Sequence, residues 1–184
     1  MRLVEETRVT ERTKRLAERN FFDEFIALRD EQRRNRENIE AVVRFKELPW
    51  ELNAQGYMKW YAAPTMTDVA LSLYVIYIQR IPAGSRSGKQ LMQGGQLGFI
   101  WKGGPGYSVI DGERYDWDHW DLLQIPMRPA GCVVQHFNDS DADIEIFFCS
   151  VNDVHSLSID KGPGFEQLED CPEYREHQRA ASAT

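Results

Sequence analysis

The sequence is poor in metal-binding residues and lacks the excess of basic charge that a nucleic-acid partner requires. It has 4 His and 3 Cys in 184 residues, and no Cys-x-x-Cys pair occurs. Cys132, Cys149 and Cys171 are odd in number and widely spaced, which disfavours a disulfide framework and fits reduced thiols in a cytoplasmic protein. The 22 Lys and Arg are outnumbered by 29 Asp and Glu, so the net charge is −7. That balance excludes nucleic acid as an expected partner and offers no attraction to an anionic membrane. Long apolar runs are absent as well. The longest stretch, Val69 to Ile81, is interrupted by Ser72 and Gln79 and suits a core strand better than a bilayer span. The start of the chain is charged from Arg2 through Glu6, without an apolar segment and cleavage site, so no secretory leader is expected.

Glycine and proline are missing before Pro49, and that absence carries the first positive reading. From about Thr10 to Val43 the pattern is helical. Thr10 can cap, acidic Glu11 follows it, and Leu16, Phe21, Phe22, Phe25, Ile26 and Leu28 recur at intervals that make an apolar stripe. One long helix or two abutting ones are expected, packed on the main domain or on a partner. The charges from Arg29 to Glu37 alternate in sign, as on a solvated face. Residues 1–45 are thus read as a helical extension. Residues 46–68 form an aromatic-rich connector with Trp50, Tyr57, Trp60 and Tyr61, read first as a lid over one edge of the domain that follows and second as a pocket wall for an aromatic ligand.

Residues 69–160 read as short strands separated by turns. Apolar, β-branched and aromatic stretches run from Val69 to Ile78, Gln96 to Trp101, Gly106 to Ile110, Glu113 to Trp117, Leu122 to Ile125, Val133 to Phe137 and Ile144 to Val151. Asp111-Gly112 is a strong signal for a two-residue hairpin, because both positions tolerate positive φ. Many short strands with frequent turns imply an all-β sandwich or barrel. Residues 161–184 read as a polar tail, frayed at its end.

One spacing stands out. From Gly84 the chain places Gln90, Met92 and Gln96 at fixed intervals before Gly103, and Pro129, Gly131 and Asn138 form a second set of anchors. Together with Pro82-Ala-Gly84 and Gly106-Tyr-Ser-Val-Ile-Asp-Gly-Glu-Arg-Tyr115, these intervals resemble the two motifs of the cupins. The resemblance implies a cupin jelly-roll barrel, here with a long N-terminal helical extension. In metal-binding cupins the three positions of the first motif hold His, His and Glu, and the second motif adds a His. Carried over, they fall on Gln90, Met92, Gln96 and Val134, and a two-residue slip would bring His136 to the last of them. No position in the unslipped set carries a charge or an imidazole, so neither a metal nor another cofactor is expected. Gln90, Met92, Gln96, Val134 and His136 are expected to line a mixed polar and apolar pocket instead, and no residue is assigned a catalytic role.

The stretch from Ser87 through Gly95 is similar to the gentisate-dioxygenase-like branch of the cupins. Size, lost ligands and helical extension together resemble the small subunit of two-component hydroquinone dioxygenases. The resemblance implies an accessory, non-catalytic subunit of an aromatic ring-cleaving dioxygenase such as hydroquinone 1,2-dioxygenase. Its expected partners are a second copy or a larger metal-bearing cupin subunit. A small-molecule-binding cupin taking an aromatic ligand, or a stand-alone enzyme using His136, are the alternatives. Cys132 and Cys149 read as core residues, and His119 as part of a polar turn.

Overall fold

The computed structural model describes residues 9–37, 39–152 and 165–183 and divides into two units, 1–39 and 40–184. The first unit holds two helices, α1 (Glu11–Ala17) and α2 (Phe21–Glu37), and no residue of either is buried. Thr10 caps α1 as its sequence suggests, its side chain accepting from Thr13 N at 3.1 Å. The extension is shorter than expected. Helix α1 stops at Ala17, and Asn20 restarts the chain by accepting from Asp23 N through its side chain and from Glu24 N through its carbonyl. An Asn that caps one helix interrupts the one before it, which the unbroken apolar stripe conceals. Helix α2 ends at Glu37, short of Val43. No helix among the described residues is long and apolar enough to cross a membrane.

Among the described residues the second unit contains eleven strands and one helix. The strands are β1 (Glu51–Asn53), β2 (Gly56–Ala62), β3 (Tyr74–Ile81), β4 (Lys89–Met92), β5 (Gln96–Lys102), β6 (Gly106–Ile110), β7 (Glu113–Trp117), β8 (Leu122–Ile125), β9 (Cys132–Phe137), β10 (Ile144–Val151) and β11 (Phe165–Glu169); α3 (Pro172–Ser182) follows. They form a six-stranded sheet in the order β1-β2-β3-β10-β5-β8 and a five-stranded sheet in the order β11-β4-β9-β6-β7. All pairings within these sheets are antiparallel. Among the described residues each sheet ends in two unpaired edge strands, so the architecture is a pair of sheets and not a closed barrel.

Alternation along the strands builds one shared core. Ile144, Ile146 and Phe148 of β10 and Ile100 of β5 come from the larger sheet, while Cys132 and Val134 of β9, Ile110 of β6 and Trp117 of β7 come from the smaller. The period-two pattern sends these residues inward and their neighbours outward. The β6–β7 hairpin turns at Asp111 and Gly112 with φ of 52° and 88°, the two positive values that this dipeptide permits. Asn138 is fully buried and pins the corner after β9, its side-chain nitrogen lying within 3.0 Å of the carbonyls of Ile81, Pro82 and Ala142.

Two regions differ from their sequence reading. The aromatic connector is no lid, because β1 and β2 lie within it and β2 pairs with β3 from Tyr57↔Arg80 to Ala62↔Ile76. The C-terminal region is ordered into β11, which pairs with β4, and then α3, which opens on Pro172. Gln55 Nε2 donates to Gln167 Oε1 at 2.7 Å, and Cys171 N donates to Ala54 O at 2.8 Å, so the tail is tied to the β1–β2 turn.

Candidate functional site

Strand β4 carries the first half of the cupin-like motif. Its register with β9 pairs Gln90 with Val134 and Met92 with Cys132, so these four side chains share one face of the smaller sheet. Gln96 opens β5 in the larger sheet, where Ser150 of β10 and Ile125 of β8 flank it. Gln90, Met92 and Gln96 all line one cavity of about 410 Å³. Val134 is the register partner of Gln90, and His136, two residues along β9, pairs with Ser108 of β6.

Val134 and His136 are not in that lining. Val134 is taken up by the hydrophobic core. His136 is 5% exposed, with Nδ1 2.7 Å from Ser108 Oγ and its ring centroid 5.2 Å from that of Phe148. Trp117 Nε1 donates to the same Ser108 oxygen at 2.9 Å. Ser108 Oγ thus links the Trp117 indole to the His136 imidazole. Burial lowers the His136 pKa from 6.5 to about 4. An imidazole held neutral in this way is a structural partner of Ser108 and no proton donor at neutral pH.

That shift has a measurable consequence. Between pH 6.5 and about 4 the unfolded chain takes up a proton on His136 that the folded chain does not. Stability therefore falls as pH falls through this window, by about 3 kcal/mol from this group. Urea denaturation of wild type and His136→Asn at pH 7 and pH 4 checks it. The wild type is expected to lose about 3 kcal/mol more than the variant, whose amide does not titrate.

The cavity draws on residues that the motif does not supply. Met58 and Trp60 reach it from β2, Tyr77 from β3 and Phe165 from β11. Trp60 and Tyr77 face each other across the β2–β3 register with ring centroids 5.0 Å apart. Gln96 Nε2 donates to Tyr77 Oη at 3.1 Å. Burial raises the Tyr77 pKa to about 12, against the smaller downward pull of that hydrogen bond, so the phenol stays protonated. Trp60 belongs to the aromatic connector, for which a pocket wall is the second sequence reading, whereas Tyr77 lies in the stretch Val69 to Ile78 read as a strand and carried no signal for the site.

A transition metal does not fit this donor set. The four positions onto which the resemblance carries the metal ligands hold two amides, a thioether and an isopropyl group, and none supplies the charge or imidazole nitrogen that offsets dehydration of a divalent ion. Among the described residues no group of three or more His, Cys, Asp or Glu side chains is placed to hold one elsewhere.

No family pattern matches the sequence, and no curated protein is significantly similar to it. Solved structures are similar. The polyketide cyclase RemF from Streptomyces resistomycificus superimposes with a TM-score of 0.54 at 8% identity, over 77% of this chain and 94% of that one. A Cupin 2 conserved barrel domain protein from Salinispora arenicola gives 0.49 at 17% identity, over 61% and 88%. A salicylate 1,2-dioxygenase from Pseudoaminobacter salicylatoxidans gives 0.48 at 20% identity, over 78% of this chain and 36% of that one. At these identities the likeness is one of fold. Two antiparallel sheets around one core, with the Gly84 to Gly103 spacing laid across β4 and β5, agree with the two-sheet architecture that the resemblance to cupins implies.

Proposed function

We propose that the protein is a metal-free cupin acting as a non-catalytic subunit of an aromatic ring-cleaving dioxygenase such as hydroquinone 1,2-dioxygenase, in the cytoplasm. One observation carries the reading: the cupin fold is kept while Gln90, Met92, Gln96 and Val134 stand where an oxidising centre would need charged or imidazole ligands. Ring cleavage then belongs to a partner that does bear iron. The similarity of Ser87 through Gly95 to the gentisate-dioxygenase-like branch supports the aromatic setting. Phe21, Phe22, Phe25 and Leu28 on α2 are exposed and supply apolar area for an interface with that larger subunit. Affinity purification of the tagged chain from its native host is expected to bring down a larger cupin protein carrying the iron. Near-stoichiometric iron or manganese on the chain purified alone, or ring cleavage by it, would reject the proposal.

A second reading, ligand binding without catalysis, is favoured by the cavity itself. Its volume of about 410 Å³ lies in the range of small-molecule pockets. The two readings are compatible in one protein.

A further inference from the structure

Strand β5 is apolar on both of its faces. Gln96, Gly98 and Ile100 point inward, and Leu97, Phe99 and Trp101 point outward. The register sets Leu122 of β8 beside Phe99, and Cys149 of β10 beside Leu97, on the same outer face. Trp120 joins them from the turn after β7, its ring centroid 5.5 Å from that of Phe99 and 6.4 Å from that of Trp101. Leu97, Trp101, Trp120 and Leu122 are all exposed. A sheet with one solvated face normally alternates apolar-in with polar-out, and this stretch does not. Trp120 also has φ of 73°, a left-handed conformation that is an outlier for a bulky residue. Such backbone persists where the position of the side chain is used. The face lies on the opposite side of β5 from the cavity, and its tryptophan end is about 20 Å along β10 from Asn152.

From this face we infer that two copies of the chain join in an isologous dimer, the tryptophan end of each lying against the leucine end of the other. Area is the first argument. Trp101 and Trp120 are 50% and 63% exposed. With Leu97 and Leu122 they offer roughly 300–400 Å² of apolar surface. A homodimer interface of standard size takes about 800 Å² from each partner, about two-thirds of it apolar. The face thus supplies most of the apolar core that such a contact needs, before Phe99 and Cys149 are added. Shape is the second argument. Two indoles stand up at one end of the face, where Phe99 supports them, while Leu97 and Cys149 leave the other end low. A two-fold axis through Phe99 sets the tall end of each copy over the low end of the other. Self-complementarity of this kind is what an isologous contact requires. Buried tryptophans are also the commonest anchors of protein interfaces.

Sedimentation equilibrium of the full chain at pH 7 is expected to give twice the 21.4 kDa mass of one chain. Trp120→Asp and Leu97→Lys are each expected to weaken self-association about thirtyfold or more, the effect of losing an interface anchor. Both positions are exposed, so the variants should keep the wild-type fold, which circular dichroism reads. Mixing the two variants is the sharper test. The mixed dimer keeps one contact of Trp120 with Leu97 and sets an aspartate against a lysine at the other, so dimer should re-form. A readout without any variant comes from Cys149, which is partly buried on this face, whereas Cys132 and Cys171 are buried. Its alkylation should slow as the wild-type concentration rises. Phe25→Glu on α2 should leave the dimer intact. A chain that stays monomeric at about 100 µM, or a dimer that neither face variant weakens, overturns the inference. Weakening by both without recovery on mixing overturns the crossed arrangement. Dissociation by Phe25→Glu alone moves the contact to α2 and overturns it too. None of these results bears on the subunit proposal, whose test is capture of an iron-bearing partner.

Discussion

A variant with Gln90→His, Met92→His, Gln96→Glu and Val134→His is expected to retain about one ferrous or manganous ion per chain after gel filtration, where the wild type retains less than about a tenth. The expectation follows from how the fold presents these positions. Gln90 and Val134 are register partners on β4 and β9, Met92 lies two residues along the same face, and Gln96 looks into the same cavity from β5. Replacing them supplies three imidazoles and a carboxylate, the donor types that compensate for dehydration of a divalent ion. Tyr77 is already in place as an outer partner. It now accepts from Gln96 Nε2, and with a glutamate it would donate its phenolic proton to the carboxylate. The unfilled variant buries an unpaired carboxylate and should melt below wild type; added metal should raise its melting temperature and leave the wild type unmoved. Elemental analysis and thermal melts with and without a chelator read both outcomes. A folded variant that binds no metal would show that position 134, outside the lining that Gln90, Met92 and Gln96 share, does not converge with them. Stoichiometric metal on the wild type would remove the basis of the subunit proposal.

Legibility in the sequence depended on whether an element's pattern was its own or borrowed from neighbours. Strands β6, β7, β8 and β10 occupy the ranges read from the residues alone, and the Asp111-Gly112 hairpin has the expected turn, because local propensity and burial agree there. Strand β2 was hidden by Lys59. This residue is 6% exposed, its Nζ donating to Phe45 O at 3.0 Å and lying 4.2 Å and 5.0 Å from the ring centroids of Phe45 and Trp50. A lysine caged by aromatics at a buried position breaks the apolar alternation by which strands are recognised. Strand β4 was hidden by brevity and by Lys89 and Gln90, whose polarity belongs to the site and not to the core. Strand β11 has little apolar character and is placed by tertiary bonds such as Gln55 to Gln167. Of the site, Gln90, Met92 and Gln96 were readable as a spacing. Trp60 was legible only through the second reading of the connector as a pocket wall, and Tyr77 was not, since its place beside Trp60 depends on the pairing of β2 with β3. The motif thus named three residues of the cavity wall, and the aromatic ones come from β2, β3 and β11.

Phe148→Ala is expected to destabilise the protein by about 3–5 kcal/mol, the usual cost of removing a fully buried phenylalanine. Phe148 is 0% exposed at the centre of β10, between β3 and β5, with Tyr77 and Gly98 opposite it in register. Gly98 is small for a reason: a Cβ built there would stand 2.6 Å from Phe148 Cε1. The glycine and the phenylalanine are one packing unit, so Gly98→Ala should cost about 1–3 kcal/mol in the wild type by pushing on the ring. In the Phe148→Ala background it should cost much less, because the added methyl enters the space the ring has left. The double-mutant cycle, read by urea denaturation, is therefore expected to show strong favourable coupling. A second effect follows from the ring's other neighbours. Phe148 lies 5.2 Å from His136 and 5.3 Å from Tyr77, centroid to centroid, and so helps exclude water from both. Opening that wall should let the His136 pKa rise from about 4 back toward 6.5. The variant's loss of stability on acidification should then be smaller than the wild type's, although the variant is weaker at neutral pH. Additive costs in the cycle would mean that Gly98 and Phe148 do not share one space. An unchanged pH slope would mean that other residues keep His136 dry.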